Sequence, residues 1–321
     1  MRKLESISVE ITKLCNFRCK FCYASSNINT EKEMIVTDEM IHRVVSEAKK
    51  NELKKITITG GEPLVNKELF IRVVEAFFYA GIAINLNTNI SLFTDDICEL
   101  YKKYIGSEFY VFTSLLSPNP ETCNNIIGVP NGYESIIRGI ECCKRNGLKI
   151  SLNFTISKEN SNDIKLIPDF VSKYNIDRVS ISRVIPPSYD RNENKNMLSS
   201  KDVCLIADTL VDIHSNLGIP VTSSHPLPLC VIGDDRKYDI IEGTMCRSGV
   251  NYCAVNLVTG NVFACSQENK VYGNIYEISL YDCWKEMSRQ REYYNLAEKC
   301  IDCRLLSRCG GECKWSACTI C

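Results

Sequence analysis

Histidine is scarce in this chain, with three among 321 residues, and neither charge is in surplus. Lys and Arg total 38 against 39 Asp and Glu, for a net charge of -1. Nothing in that balance attracts a phosphate backbone or an anionic membrane over the whole surface, so neither nucleic acid nor membrane is an expected partner. No apolar run approaches a membrane span, and the opening "MRKLESISVE" lacks the apolar core of a signal peptide. The expected location is cytoplasmic. No tract is biased enough to suggest disorder. At 45% hydrophobic and 24% charged the chain reads as globular, with length for one large domain and a small one.

Cysteine is abundant instead, at 19 residues. A reducing cytosol seldom holds structural disulfides, and an odd number cannot pair fully within one chain. Metal or cluster ligation is the better expectation.

From residue 7 to about 215 strand-like and helical runs alternate. "SISVEIT" (6–12), "KITIT" (55–59), "AINLNT" (83–88), "EFYVFTSLL" (108–116), "KISLNFTIS" (149–157) and "RVSISRVI" (178–185) read as six strands. Thr37 can cap a helix that shows Ile41, Val44, Val45 and Ala48 on one face. "KELFIRVVEAFFYAG" is the next helix, with Gly81 as its stop. Further helices are expected near 94–105, 133–146, 162–174 and 199–217. Strands separated by helices imply a parallel sheet, since each crossover needs a dozen residues or more. The expected fold is α/β, a partial (β/α)6 TIM-type barrel over 1–217, with chemistry at the C-terminal ends of the strands. A turn-rich bridging segment (218–244) and a small cysteine-rich domain (245–321) follow. The latter contains a hairpin, "YCAVNLV-TG-NVFACS", and a helix near 279–297.

The loop after the first strand, "KLCNFRCKFC" (13–22), holds Cys15, Cys19 and Cys22. Three soft ligands in eight residues suit an iron–sulfur cubane with three irons held and one left open. Zinc would want a fourth protein ligand or a catalytic water, and the nearest histidine, His42, falls on a predicted helix. The loop after the second strand is "GGEP" (60–63). Its glycines admit close backbone approach, and Glu62 offers a carboxylate to a cationic ammonium.

"CNFRCKFC" resembles the CxxxCxxC motif of the radical S-adenosylmethionine (AdoMet) enzymes, and "GGEP" resembles their second motif. The resemblance implies that the amino and carboxylate groups of AdoMet fill the open iron. By the same resemblance Gly60, Gly61 and Glu62 face the methionine amino group, and Phe21 lies near the adenine. Ser114 and Asn153 stand where fourth- and fifth-strand residues of the family meet AdoMet. The Asp-Gly that often follows that serine is absent here, where the text is "LLSP".

The C-terminal spacing is similar to the seven-cysteine pattern of the SPASM domain, whose members carry two auxiliary cubane clusters. "YGNIYEISLYDCWK" resembles the helix that links the halves of that domain. The resemblance implies three [4Fe-4S] clusters in all. Cys246, Cys253, Cys265 and Cys313 would hold the inner auxiliary cluster. Cys300, Cys303 and Cys309 would hold the outer one with a last cysteine, either Cys318 or Cys321, of which Cys321 leaves the longer loop. Cys98, Cys142, Cys143, Cys204 and Cys283 fall on predicted helices as buried fillers. Cys123 is expected in the loop after the fourth strand. Cys230, in the bridging segment, is a candidate hydrogen donor of the kind some radical AdoMet epimerases keep.

The resemblance implies cleavage of AdoMet to a 5′-deoxyadenosyl radical that abstracts a substrate hydrogen, with a flavodoxin- or ferredoxin-type reductant. SPASM members most often modify ribosomally made precursor peptides. Ser266 stands where the anaerobic sulfatase maturases carry an aspartate, which argues against that branch. The chain begins almost at its first strand, so a separate leader-peptide recognition protein, or direct binding by the barrel, is expected if the substrate is a peptide. An oxidative thioether or carbon–carbon cross-link is the leading expectation. A redox-neutral epimerase, a small-molecule oxidase or epimerase, and a non-catalytic iron–sulfur electron carrier are the alternatives.

Overall fold

The computed structural model describes residues 3–26, 35–185, 198–233, 236–243, 246–294, 300–311 and 313. Six parallel strands form as the alternation requires: β1 (Ser6–Glu10), β2 (Lys55–Thr59), β3 (Ala83–Asn87), β4 (Tyr110–Leu115), β5 (Lys149–Ile156) and β6 (Arg178–Arg183). The helices α1 (Asp38–Lys50), α2 (Lys67–Tyr79), α3 (Asp95–Tyr104), α4 (Pro120–Ile127), α5 (Gly132–Arg145), α6 (Ile167–Lys173) and α7 (Ser200–Leu217) alternate with them. Thr37 caps α1 by accepting the Met40 N–H at 3.3 Å. Gly81, at φ +71°, ends the turn after α2, a left-handed conformation that favours glycine.

Register sorts the two faces of the sheet. Ile7, Ile56 and Ile84 align across β1, β2 and β3, as do Val9, Ile58 and Leu86; all six are buried. Their neighbours in sequence point the other way and are polar: Ser8, Thr57 and Asn85 form one row, and Ser114, Asn153 and Ser180 another across β4, β5 and β6. A closed eight-stranded barrel fills its centre with branched apolar side chains. Here the helices cover the apolar face, and the other, the groove face, carries these polar rows together with Tyr110 and Phe112 of β4.

The sheet is longer than six strands. The segment expected as a bridge contributes β7 (Val221–Thr222), the short helix α8 (Leu229–Ile232) and β8 (Ile241–Glu242), which extend the sheet beyond β6. At the other edge β9 (Tyr252–Asn256) pairs parallel with β1 and forms a hairpin with β10 (Val262–Phe263). Gly260 turns that hairpin at φ +74°. The hairpin of the cysteine-rich segment is thus continuous with the main sheet.

Helix α9 (Leu280–Tyr294) buries Trp284, and its Leu280 N–H donates to the buried Glu47 of α1 at 2.9 Å. Arg43 of α1 adds a bond to the Ile275 carbonyl at 2.7 Å. A last short helix, α10 (Leu306–Cys309), follows. Among the described residues no helix is long and apolar enough to cross a membrane.

Two expectations about cysteines need correction. Cys123 is not in a loop; it is buried in α4, which Asn119 caps by accepting from Glu121 and Thr122 N–H. Cys204 is only half-buried, with its thiol turned to the Val231 carbonyl of α8, whereas Cys98, Cys142, Cys143 and Cys283 are buried.

Candidate functional site

The loop that follows β1 carries Cys15, Cys19 and Cys22 at the C-terminal end of the sheet, and three neighbouring segments hold it, two through its backbone and one through side chains. The Gly61 N–H donates to the Thr12 carbonyl at 2.7 Å and the Glu62 N–H to the Leu14 carbonyl at 2.8 Å. A Cβ on Gly61 would sit 2.1 Å from the Leu14 oxygen, so only glycine allows this approach. On the opposite side the carbonyls of Ile126 and Ile127, at the end of α4, accept the N–H groups of Lys20 and Arg18 at 3.1 and 3.0 Å. Arg18 folds its guanidinium back onto the carbonyl of Cys15 at 2.6 Å.

The third segment is the loop after β3, "TNIS" (88–91), which the sequence reading did not single out. The Asn89 side-chain amide donates to Asn16 Oδ1 at 2.8 Å and to Cys15 Sγ at 3.9 Å. Asn16 in turn donates to Ser91 Oγ at 2.8 Å.

Glu62 links the second and third segments. Its carboxylate is fully buried and accepts from Leu64 N–H at 3.0 Å, Thr88 Oγ1 at 2.8 Å and Asn89 N–H at 2.6 Å. Burial pushes its carboxyl up to about 7, against the pull of these three donors. Glu62 is therefore built into the loop framework, a role the sequence reading did not give it. Gly60 packs against Thr12 beside it.

The three thiols are electrostatic neighbours, since Cys22 and Cys15 both raise Cys19 and Cys22 raises Cys15. Burial is the first cause in each case, bringing Cys15 to about 11 and Cys19 higher still. A cation at this position would reverse that penalty, because a coordinated thiol is held as thiolate. The Phe17 N–H, 3.4 Å from Cys15 Sγ, and the Asn89 amide are donors suited to a ligating sulfur. Among the described residues no three His, Cys, Asp or Glu side chains converge as ligands of a single metal ion would. The donor set fits a cubane, which takes one thiolate per iron.

The remaining sequence candidates are dispersed. Phe21 is half-buried within the cysteine loop. Ser114 and Asn153 are register partners on the groove face; Asn153 donates to Thr155 Oγ1 at 3.0 Å and accepts from Ser224 Oγ at 3.3 Å. Cys230 is exposed on α8, a helix packed on α7. In the C-terminal segment Cys265 has Cys246 and Cys313 as neighbours, while the neighbouring thiol of Cys253 is Cys283. Cys300, Cys303 and Cys309 share one short stretch, with Cys303 N–H on the Cys300 carbonyl at 3.2 Å. Cys318 and Cys321 lie outside the described residues.

Residues 9–171 match the model of the radical SAM superfamily. The chain belongs to that superfamily. Membership makes it an enzyme and implies a [4Fe-4S] cluster with AdoMet. This radical SAM enzyme is 25% identical to the radical SAM cyclopropyl synthase TigE of Paramaledivibacter caminithermalis, over 97% of this chain and 68% of that one. It is also 25% identical to the AdoMet-dependent heme synthase of Methanosarcina barkeri, over 95% and 90%. Among solved structures, Streptococcus suis SuiB bound to S-adenosylmethionine superposes with a TM-score of 0.76 at 19% identity, covering 97% of this chain and 73% of that one. SuiB bound to its precursor peptide SuiA superposes with a TM-score of 0.75, also at 19% identity, over 98% and 72%.

Proposed function

We propose that this radical SAM enzyme oxidatively modifies a ribosomally made peptide, installing a thioether or carbon–carbon cross-link. In this reading Cys15, Cys19 and Cys22 each hold one iron of the first cluster, and AdoMet completes the fourth. When bound, the pair supplies reductive cleavage of AdoMet to methionine and a 5′-deoxyadenosyl radical that takes a hydrogen atom from the substrate. The chain's own part is positional. Gly60 and Gly61 bring backbone close to the methionine end, Glu62 locks the second and third loops together, and Phe21 contributes apolar surface for the adenine. Ser114 and Asn153, on the polar groove face, are the proposed contacts to the rest of AdoMet.

Residues 245–321 are proposed as a SPASM domain with two auxiliary [4Fe-4S] clusters. The outer one would rest on Cys300, Cys303, Cys309 and Cys321. A cross-link removes two hydrogens from the peptide: one leaves as an atom to the nucleoside, the other as a proton, and its electron needs an acceptor. Auxiliary clusters held by these cysteines would supply that acceptor. A flavodoxin- or ferredoxin-type protein supplies the electron that starts the cycle.

The observation that carries this reading is the cysteine loop, clamped at the C-terminal end of the sheet in a fold shared with SuiB, whose structure includes a precursor peptide. A second reading, action on a small molecule, is favoured by the Methanosarcina heme synthase, which matches along nearly all of this chain. Anaerobic incubation of the enzyme with AdoMet, reductant and any short peptide found encoded beside its gene separates these. A product about 2 Da lighter supports cross-linking, since two hydrogens leave. An unchanged mass with altered stereochemistry supports epimerisation. A peptide recovered unmodified beside 5′-deoxyadenosine formation points to the small molecule.

A further inference from the structure

Three cysteines outside the cluster loops meet where α3 packs on α5. Cys98 of α3 has its Sγ 3.8 Å from Cys142 Sγ of α5, and the Cys143 thiol also bonds to Cys98. All three are buried, but Cys142 reaches outward. At 5% exposure against 0% for the other two, it donates to Asp95 Oδ1 at 3.5 Å and accepts from Asn146 Nδ2 at 3.8 Å. Asp95 is exposed, so the thiol group has one side in the core and one route to solvent. Hydrogen bonds from Cys143 and then Cys142 pull Cys98 below the ordinary thiol value against the penalty of burial. Cys98 is thus the most readily ionised of the three, and a thiolate is the nucleophile in sulfur exchange.

The helices that carry these thiols press on the loop that grips the first cysteine. Gly139 stands one turn before Cys142 and Cys143 on α5, and a Cβ there would lie 2.1 Å from the Ile90 oxygen. Ile90 is held at φ +62°, a left-handed conformation that is costly for a β-branched residue. Its neighbour Asn89 makes the bonds to Glu62, Asn16 and Cys15 Sγ. The same loop leads into α3, where Cys98 lies in the opening turns. A movement between α3 and α5 therefore reaches Cys15 through two residues, Ile90 and Asn89.

We propose that Cys98 and Cys142 are a redox modification site, forming a reversible disulfide that weakens AdoMet binding when the surroundings turn oxidising. The oxidant is a small-molecule disulfide. Cys142, the outer thiol, attacks it and releases one small thiol; Cys98 then attacks the mixed disulfide at Cys142 and releases the second. Two protein S–H bonds and one small S–S bond become one protein S–S bond and two small thiols, which carry away the protons. The protein bond needs about 2.0 Å between the sulfurs. In a close-packed layer that closure is shared by the helices themselves, which shifts Gly139 against Ile90 and loosens the hold of Asn89.

The test equilibrates full-length enzyme, reconstituted without air, with bis(2-hydroxyethyl) disulfide. Part is quenched in acid, alkylated in denaturant and digested for mass mapping. The peptides carrying Cys98 and Cys142 should be recovered joined, about 2 Da lighter than their sum, since two hydrogens leave. In the rest, iron content should be unchanged, and AdoMet affinity by calorimetry should fall about fivefold, as for the loss of one hydrogen bond. Dithiothreitol should restore it. Cys98→Ala and Cys142→Ala, tested separately so that one misfolded variant does not decide the outcome, should keep their affinity through the same treatment. Thiols at 98 and 142 that stay free in the wild type overturn the proposal. So does a cross-link that leaves AdoMet affinity unchanged, or a loss of affinity that both variants share, which would place the oxidised group elsewhere.

Discussion

Replacing Glu62 with glutamine should change stability in a pH-dependent way whose sign the buried carboxylate dictates. Its carboxyl is raised from 4.5 to about 7, with burial the dominant cause. A raised folded-state value means that the neutral form is favoured in the folded chain. The wild type is therefore most stable, on this account, below pH 4.5 and loses stability as pH rises through about 7. Between pH 5.5 and 8 the loss is about 2 kcal/mol. Glutamine has no such titration, but it turns an NH2 toward donors that now meet carboxylate oxygen: Leu64 N–H, Thr88 Oγ1 and Asn89 N–H. The mispairing costs about 1–3 kcal/mol at any pH. The variant should thus melt well below wild type at pH 5.5 and recover relative to it by roughly 3 °C at pH 8, given the entropy of unfolding for a chain of this length. Anaerobic thermal melts of reconstituted protein at both pH values measure this. A melting difference that is the same at the two pH values would refute the argument that Glu62 is buried at the expense of its charge.

Gly61→Ala places a Cβ within 2.1 Å of the Leu14 oxygen and forces apart the two backbone bonds that join the second loop to the first. It should cost about 1–3 kcal/mol in thermal melts and weaken AdoMet binding by calorimetry. Gly147→Ala, with positive φ but nothing within 4 Å, should cost about 1 kcal/mol and leave AdoMet binding unchanged. Asn89→Ala removes the amide that donates to Cys15 Sγ; the first cluster's midpoint potential, read by EPR-monitored titration, should fall because a donor to sulfur stabilises the reduced state. Trp284→Ala empties a buried site under α9 and should lower stability by about 3–5 kcal/mol, with faster proteolysis of the C-terminal segment.

The main sheet was legible because its first strands alternate apolar and polar residues. "SISVE", "KITIT" and "AINLN" each place apolar residues on one face and polar ones on the other, and register then aligned Ile7, Ile56 and Ile84. The cysteine and "GGEP" loops could be placed at the strand ends by order alone. Other features were less accessible. α4 carries the signals of a short helix, with Asn119 as cap, Pro120 in the first turn and Gly128 at φ +71°, yet "SPNP" invites a turn reading. β7 and β8 have two residues each, too few to show a period, and became strands only through their neighbours.

The hold of Asn89 on Cys15 joins residues 74 positions apart and leaves no local trace. Glu62 was read as a ligand-facing carboxylate because sequence shows its charge but not its three internal donors. Cys253 carries two signals at once: its spacing groups it with Cys246 and Cys265, and the alternation of "YCAVN" sets it with Val255 beside Ile7 and Val9 of β1.

The central claim is that three thiolates in the first loop leave a corner at which AdoMet is cleaved. Reconstituted enzyme, incubated without air with AdoMet and dithionite, should release 5′-deoxyadenosine and methionine in equal amounts, and Cys19→Ala should release neither. Wild-type protein with its clusters intact that forms no 5′-deoxyadenosine, or a Cys19→Ala variant that still does, would contradict the account.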